Sequence, residues 1–261
     1  MTKKTKIGKV LYTLIITLIV FVLGLATFIL YPQPLFANKL EYKQFNVYSK
    51  EIISEQIKPI LDSALSLVAT SELYDSTYRV DLFLSYNTFL NQIDDMVFGQ
   101  GVSAKALDNN LVFKANVDVN ENRVHATFHK SCHQRFDYMI AHELMHCLQA
   151  HKYGLLKFNP FTHLEMWKLE GYPEYVARQK FSESTDSLKM EIKRFIELHD
   201  KQTDIWILLE EGGCEVPEFY YKGRLMTEYL MNAKGMTYDQ ILKDKRSEEE
   251  IYIEMTGWVE K

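Results

Sequence analysis

The residues of this chain best suited to chemistry lie between positions 142 and 146, where the sequence reads HELMH. On a helix, His142 and His146 project from the same face because they are four residues apart, so both imidazoles can bind one metal ion. Glu143 is turned by about 100° from His142 and can accept a proton from a metal-bound water. The spacing predicts a hydrolytic zinc site in which His142 and His146 are metal ligands and Glu143 is the catalytic base.

The helix that would carry these residues is predicted over residues 134–151. Its apolar and polar positions separate on a helical wheel, as expected for a helix between a core and a cleft. The apolar side holds Phe136, Ile140, Leu144, Cys147 and Leu148, and the polar side holds Arg135, His142, His146 and Gln149.

A catalytic zinc normally has three protein ligands, so the two histidines need a partner. A glycine three residues and a histidine six residues after His146, a known arrangement, are excluded because Gln149 and Lys152 occupy those positions. His151 and His163 could be spare ligands, but neither lies in a partner motif. Glu170 lies 24 residues beyond His146, which leaves room for a loop and a second helix that returns to the site. A carboxylate is a suitable third ligand for a hydrolytic zinc.

HELMHCLQ, followed by WKLEGYPEYVA from Trp167 onward, resembles the gluzincin metallopeptidases, whose third ligand is a glutamate in a W-x-x-E-G-x-x-x-Y segment. The resemblance implies a zincin-like α+β domain, one bound Zn²⁺, peptidase activity and Glu170 as metal ligand. Glu174 would then orient a ligating histidine, and the alternative is that Glu174 is itself the third ligand. Pro173 departs from the family pattern and fits if the helix begins near Glu170, since a first-turn proline loses no hydrogen bond.

A further segment, FYYKG at positions 219–223, resembles the Y-x-K-G segment of aminopeptidase-type gluzincins. There a tyrosine hydrogen-bonds the oxyanion, a catalytic role that the match assigns to Tyr220, with Tyr221 as the alternative; both could instead only pack beside the helix. The glycine-Met-Glu-Asn segment with which aminopeptidases bind a substrate amino terminus is absent before HELMH. Its absence favours an endopeptidase or a narrower specificity. The whole resemblance covers about residues 134–245, less than half of the chain.

The amino terminus predicts a membrane anchor. Four lysines within residues 1–9 precede residues 10–30, a run of 21 residues without a charge, which as a helix is roughly 32 Å long. We expect residues 1–9 in the cytoplasm and residues from about 38 onward in the periplasm or outside the cell. The alternative is a cleavable signal peptide, but its apolar core would be about 7–15 residues long, and Leu35 occupies a small-residue position for cleavage after Ala37.

The rest of the chain predicts an α+β domain over residues 49–261, after a linker over residues 31–48. Hydrophobic periodicity favours helices at two places and strands at three before the HELMH helix, and mostly helix after it. The helices are predicted over Ser49–Thr70, with Ser49 as the cap, and Asn87–Phe98, and the strands over Arg79–Ser85, Leu111–Val119 and Arg123–Phe128.

The strand pattern and the net charge limit the substrates and partners that we expect. A peptide substrate could lie along an edge strand from the Leu111–Phe128 region by strand addition. The net charge of −5 gives no reason to expect nucleic acid. The alternative function is a membrane-tethered protein that keeps the zincin fold and binds a partner without cleaving it.

The remaining cysteines and histidines have simpler interpretations. In an exported domain, two of Cys132, Cys147 and Cys214 could form a disulfide, but small buried apolar side chains are at least as good an account. His125, His129 and His133 are predicted to be surface or hydrogen-bonded histidines rather than a second metal site.

Overall fold

The computed structural model describes residues 3–98, 103–125, 133–155, 157–158, 165–178, 184–201, 206–209 and 214–260. Within them the chain forms helices and strands in a mixed arrangement, which confirms the α+β class. The helices are α1 (Lys3–Leu30), α2 (Ile57–Val68), α3 (Phe89–Phe98), α4 (Phe136–Tyr153), α5 (Met166–Arg178), α6 (Thr185–Lys201), α7 (Glu218–Glu228), α8 (Tyr238–Lys243) and α9 (Glu248–Val259). The strands are β1 (Asn38–Tyr42), β2 (Phe45–Ser49), β3 (Val80–Leu84), β4 (Ala104–Leu107), β5 (Asn110–Phe113), β6 (Asn116–Asp118), β7 (Arg123–His125), β8 (His133–Arg135), β9 (Trp206–Leu209) and β10 (Cys214–Pro217).

The main sheet has five strands in the order β1-β2-β3-β5-β4. The three strands β2, β3 and β5 run parallel to one another, and the two outer strands run antiparallel to their neighbours. Strands β3 and β5 consist largely of buried apolar residues, as expected where a parallel sheet is covered on both faces, whereas β2 alternates, with Phe45 and Val47 buried between half-buried residues. Helices α2 and α4 both pack on the core that this sheet shares with α5 and α7.

The chain before residue 49 is part of the sheet, so the predicted linker over residues 31–48 is wrong in part. Residues Asn38–Ser49 form a hairpin, and β2 pairs in parallel with β3, where Phe45 lies opposite Val80 and Val47 opposite Leu82. Both Phe45 and Val47 are fully buried. The predicted domain boundary at residue 49 therefore falls inside the sheet.

The first amphipathic helix is shorter than predicted. It begins at Ile57, eight residues after Ser49, because Ser49 ends β2 and the chain must first turn through residues 50–56. The Ser49 hydroxyl accepts a hydrogen bond from the Glu51 amide and does not cap the helix. Ile52, which lies inside the predicted helix Ser49–Thr70, is 91% exposed.

The predicted strand over Leu111–Val119 is two strands, and neither provides the expected free edge of the main sheet. Strand β5 is hydrogen-bonded on both sides, to β3 and to β4. The outer strand on this side of the main sheet is instead β4, which packs beside α4. Strands β6, β7 and β8 form a separate three-stranded sheet; of the predicted strand Arg123–Phe128, residues 126–128 lie outside the described part of the chain.

The predicted anchor forms the long helix α1, and its segment Lys9–Leu30 is long and apolar enough to cross a membrane, with a mean hydropathy of 2.8. The apolar side chains of this segment are largely exposed. The end of α1 is tied to the sheet, since the Asn110 side-chain amide donates to the Leu30 carbonyl at 3.0 Å.

Candidate metal centre

Helix α4 carries the HELMH residues, as predicted, and is fixed at both ends. In its first turn the buried Asp137 carboxylate accepts hydrogen bonds from Arg135, from the Ser63 hydroxyl and from the Tyr138 amide, which also places a negative charge at the helix amino terminus. Gly154 ends the helix with a φ of +92°, a conformation that side chains rarely adopt. Because α4 is buried on most of its circumference, its polar side chains point into a closed site rather than into open solvent.

The structure brings together His142, His146 and Glu170 as a group that could hold a metal ion. The two Nε2 atoms are 3.1 Å apart, and Glu170 Oε2 lies 3.3 Å from His142 Nε2 and 3.1 Å from His146 Nε2. In a tetrahedral zinc site with bonds of about 2.0–2.1 Å, ligand atoms are roughly 3.3–3.4 Å apart. The three atoms therefore form one face of a tetrahedron of nearly the right size, and they come from two helices, α4 and α5.

Glu174 lies on the far side of the His142 ring. Its Oε1 atom is 3.2 Å from His142 Nδ1, whereas His142 Nε2 faces His146 and Glu170. The second Glu174 oxygen accepts a hydrogen bond from Arg178 Nε at 2.6 Å. This geometry disfavours the alternative in which Glu174 is the third ligand, and it places the Glu174 carboxylate at ion-pair distance from the His142 nitrogen that faces away from Glu170.

Gln149 contacts the ring of His146 as Glu174 contacts the ring of His142, a role that the sequence alone does not predict. The Gln149 Oε1 atom lies 2.9 Å from His146 Nδ1, so it can accept the ring proton and leave Nε2 free for a metal. Its Nε2 atom donates to the Leu169 carbonyl at 3.1 Å and to the Tyr238 hydroxyl at 2.7 Å. The fully buried Gln149 thereby links α4 to α5 directly behind the metal-binding group.

Pro173 lies inside α5, so the condition under which a proline fits the first turn, a helix that begins near Glu170, is not met. Helix α5 begins at Met166, four residues before Glu170 and seven before Pro173. A proline in a helix interior leaves the carbonyl four residues before it without its usual amide donor. That carbonyl belongs to Leu169, and Gln149 is the side chain that donates to it.

Glu143 is buried beside the three-residue group without being part of it. Its carboxylate is only 8% exposed, and burial raises its pKa, opposed by the neighbouring imidazoles of His142 and His146. A raised pKa suits a carboxylate that must take up a proton and release it again near neutral pH.

The two tyrosines of the FYYKG segment face different surroundings at the start of α7. The Tyr220 ring packs edge-on against the His142 ring, with centroids 6.0 Å apart. Burial, reinforced by the carboxylates of Glu170 and Glu143, raises its pKa well above the usual value, so the phenol keeps its proton. Tyr221 donates instead to Glu191, which disfavours Tyr221 as the alternative.

Helices α5 and α7 cross in close contact at two glycines. A Cβ atom added to Gly171 would lie 2.4 Å from the Gly223 carbonyl oxygen and 2.6 Å from Thr227 Oγ1. Such contacts are far inside van der Waals distance, so the crossing requires glycine at position 171. Because Gly171 follows Glu170 and Gly223 follows Tyr220 by three residues, this contact sets the separation between the two side chains.

The charges of the group depend strongly on one another. Burial opposes a charged His142 ring, but hydrogen bonds to Glu170 and Glu174 outweigh it and raise the pKa of His142 to about 10. Burial likewise opposes a charged Glu170, but the imidazoles of His146 and His142 outweigh it and hold its pKa well below the usual range. The carboxylates of Glu170 and Glu174 therefore favour positive charge at the ring of His142.

The other candidate residues have structural roles where they are described. Cys147 is a free thiol on the buried side of α4, where it packs in the hydrophobic core, and burial raises its pKa; Cys132 and the Cys214 side chain lie outside the described part of the chain. His125 and His133 are paired across β7 and β8, with ring centroids 4.7 Å apart, and His129 lies outside the described residues.

Comparison of the chain with protein-family models, with curated proteins and with solved structures found no match.

Proposed function

We propose that this protein is a membrane-anchored, zinc-dependent peptidase with a zincin-like domain. The observation that carries the proposal is the triangle formed by His142 Nε2, His146 Nε2 and Glu170 Oε2, whose sides of 3.1–3.3 Å match one face of a zinc tetrahedron. Two imidazoles and one carboxylate are a ligand set typical of hydrolytic zinc sites. A zinc ion bound there would supply a Lewis acid and an acidified water.

The remaining residues of the site have distinct roles in peptide hydrolysis. Glu143 is the general base that takes the proton of the attacking water and passes it to the leaving amine. Tyr220 keeps its phenolic proton and donates a hydrogen bond to the oxyanion. Glu174 and Gln149 hold the two imidazoles in the orientation that points both Nε2 atoms at Glu170.

The substrate would lie along β4 and be bound by strand addition. This strand is the outer strand of the main sheet beside α4. Burial lowers the pKa of its Lys105, while the carboxylates of Asp94 and, more weakly, Glu143 oppose that shift. An edge strand running beside the metal-binding helix supports the zincin-like fold as the finer description of the α+β domain.

The charges at the amino terminus of α1 indicate on which side of the membrane the domain lies. Its basic amino terminus favours retention in the cytoplasm, which puts the sheet and the metal-binding group on the periplasmic or extracellular side. The substrate is then a peptide or protein of that compartment.

The decisive experiment compares the full chain with Glu143→Gln in detergent. We expect about one zinc ion per chain in both, by elemental analysis, and cleavage of a diverse peptide library that falls by a factor of about 10²–10⁴ in the variant. Tyr220→Phe should keep its zinc and lower kcat by about 10²–10³, whereas Tyr221→Phe, whose hydroxyl contacts Glu191, should keep kcat. Cleavage that survives Glu143→Gln unchanged would refute the mechanism, and zinc without any cleavage would favour the non-catalytic binding protein.

A further inference from the structure

Helix α3 exposes an apolar face at one end of the domain. Phe89, Met96 and Val97 share one side of the helix, since they are seven and eight residues apart, and Phe89 and Met96 are 56% and 64% exposed. Tyr86, just before the helix, is exposed as well. Of the eleven large hydrophobic side chains exposed in the described residues after α1, four lie on residues 86–97. Such a concentration marks an interaction surface rather than ordinary scatter.

The charged residues of α3 point the opposite way, into the domain. Asp94 is only 1% exposed and forms ion pairs with Lys105 of β4 and with Lys114. Asp95 pairs with Lys114 at 2.5 Å. A helix that faces water shows the reverse pattern, with its charges outside. The ion pairs and the buried side chains of Leu90 and Ile93 hold α3 by its inner side and leave the exposed apolar residues outward.

The position of α3 indicates what covers that face. The Phe89 ring packs edge-on against Phe28, with centroids 6.2 Å apart, and Phe28 belongs to the last turn of α1. Tyr31, which follows α1, and Tyr86, which precedes α3, are both exposed at this end. Tyrosines are enriched where a protein crosses the boundary between membrane and water. If α1 spans a bilayer, its contact with Phe89 places α3 at the depth where the span ends.

We propose that α3 is a second membrane contact, which inserts Phe89, Met96 and Val97 into the interfacial layer of the bilayer beside α1. The occupant of this surface is lipid, because the face is continuous with the exposed apolar surface of α1. The proposal rests on the membrane-spanning role of α1 given above. Because Asp94 of α3 holds Lys105 of β4, the edge strand and the neighbouring metal-binding group are kept close to the membrane, where they meet membrane-proximal segments of substrates.

The proposal is tested with single tryptophan substitutions in the full chain, reconstituted in phosphatidylcholine vesicles whose acyl chains carry bromine at shallow positions. Phe89→Trp and Met96→Trp should add fluorescence that is blue-shifted and quenched by the brominated lipid. The signal of the unsubstituted chain, which contains Trp167, Trp206 and Trp258, is subtracted in each case. Quenching should exceed that of the controls Ile52→Trp and Ile253→Trp several-fold, since both control positions are exposed and lie outside α1 and α3.

Val20→Trp, in the middle of α1, reports separately on the anchor in vesicles whose acyl chains carry bromine near their ends, because this position would lie deep in the bilayer. Quenching at position 20 without excess quenching at positions 89 and 96 would overturn the proposal for α3 and leave the anchor in place. An unquenched position 20 would remove the anchor and, with it, this proposal. Neither result touches the zinc content or the peptidase activity, so failure here is distinguishable from failure of the proposed chemistry.

Discussion

Gln149 supports both helices that carry the metal-binding group, α4 and α5. It accepts from His146 Nδ1 and donates to the Leu169 carbonyl that Pro173 leaves without an amide partner. In Gln149→Leu both groups lose their partner while buried, at about 1–3 kcal/mol each. We expect the free energy of unfolding to fall by about 2–6 kcal/mol and the zinc affinity to fall by about 10–100-fold, measured by chemical unfolding and chelator competition.

A second substitution separates the loss of stability from the loss of zinc affinity. Pro173→Ala restores an amide that can donate to Leu169, so in the double variant the stability cost should shrink by about 1–2 kcal/mol while the affinity loss remains. Gln56→Leu makes the same chemical change at an exposed position and should alter stability by no more than about 0.5 kcal/mol. An additive double-mutant cycle would show that Gln149 and Pro173 are not coupled through that carbonyl.

The protonation of His142 predicts that metal binding releases protons. With a pKa raised to about 10, the metal-free ring is charged at pH 7, but a metal binds only the neutral imidazole. Zinc must therefore displace at least about one proton per ion, and the affinity should rise with pH between 7 and 10. Two ordinary histidines of pKa about 6.5 would release only about half a proton at pH 7.

The number of protons released on zinc binding is measured by calorimetric titration of the metal-free chain with zinc at pH 7, in two buffers of different ionisation enthalpy. Glu174→Gln provides the control, because it removes one of the carboxylates that raise the pKa of His142 and should lower the number of protons released. Release of half a proton or less by the unsubstituted chain would contradict the charge arrangement described here.

The crossing of α5 and α7 predicts opposite effects for two glycine substitutions. In Gly171→Ala the new methyl would meet the Gly223 carbonyl oxygen at 2.4 Å, and backbone atoms cannot rotate away. The helices must separate, which we expect to cost about 1–3 kcal/mol or more of unfolding free energy and to lower kcat by moving Tyr220 away from Glu170. Thermal unfolding and peptide hydrolysis measure the two effects.

Gly257→Ala is the matched control in helix α9. A Cβ atom there meets nothing within 4 Å, so the substitution should stabilise the protein by about 0.5–1 kcal/mol through the better helix propensity of alanine. If both substitutions are neutral, the crossing is looser than the glycine contact indicates.

The elements also show which parts of the site follow from sequence. The i, i+4 spacing of His142 and His146 encodes a shared helix face, and Glu170 was predictable because it lies beyond a loop in a recognisable segment. Gln149 was not, because its partners Leu169 and Tyr238 are set by the packing of α4 on α5 and α8. The resemblance contained the glycine after Glu170, but only the helix crossing gives the reason for it.

At the scale of the whole molecule, strand pairing limits what sequence can predict. The helices α3 and α4 and the strand β3 were found because their apolar periodicity is local. The pairing of β2 with β3, 35 residues apart at Asn46 and Asp81, leaves no local signal. Residues 38–49 therefore read as a linker, although they form two of the five strands of the main sheet.

The hairpin of β1 and β2 predicts how far the chain can be shortened. Phe45 and Val47 are fully buried, and their burial contributes about 3–6 kcal/mol, a large part of the 5–15 kcal/mol typical of a domain. A chain starting at Pro32 keeps the hairpin and the contacts of Leu35 and Phe36 with Phe83 and Leu90, and it should unfold cooperatively in urea.

A chain starting at Lys50 loses β2 and exposes the edge of β3, so it should aggregate or lack a cooperative transition. A chain starting at Gln44 loses only the half-buried β1 and should unfold cooperatively at a lower urea concentration. Equal midpoints for the chains starting at Pro32 and Lys50 would show that the hairpin is peripheral to the core, against the burial of Phe45 and Val47.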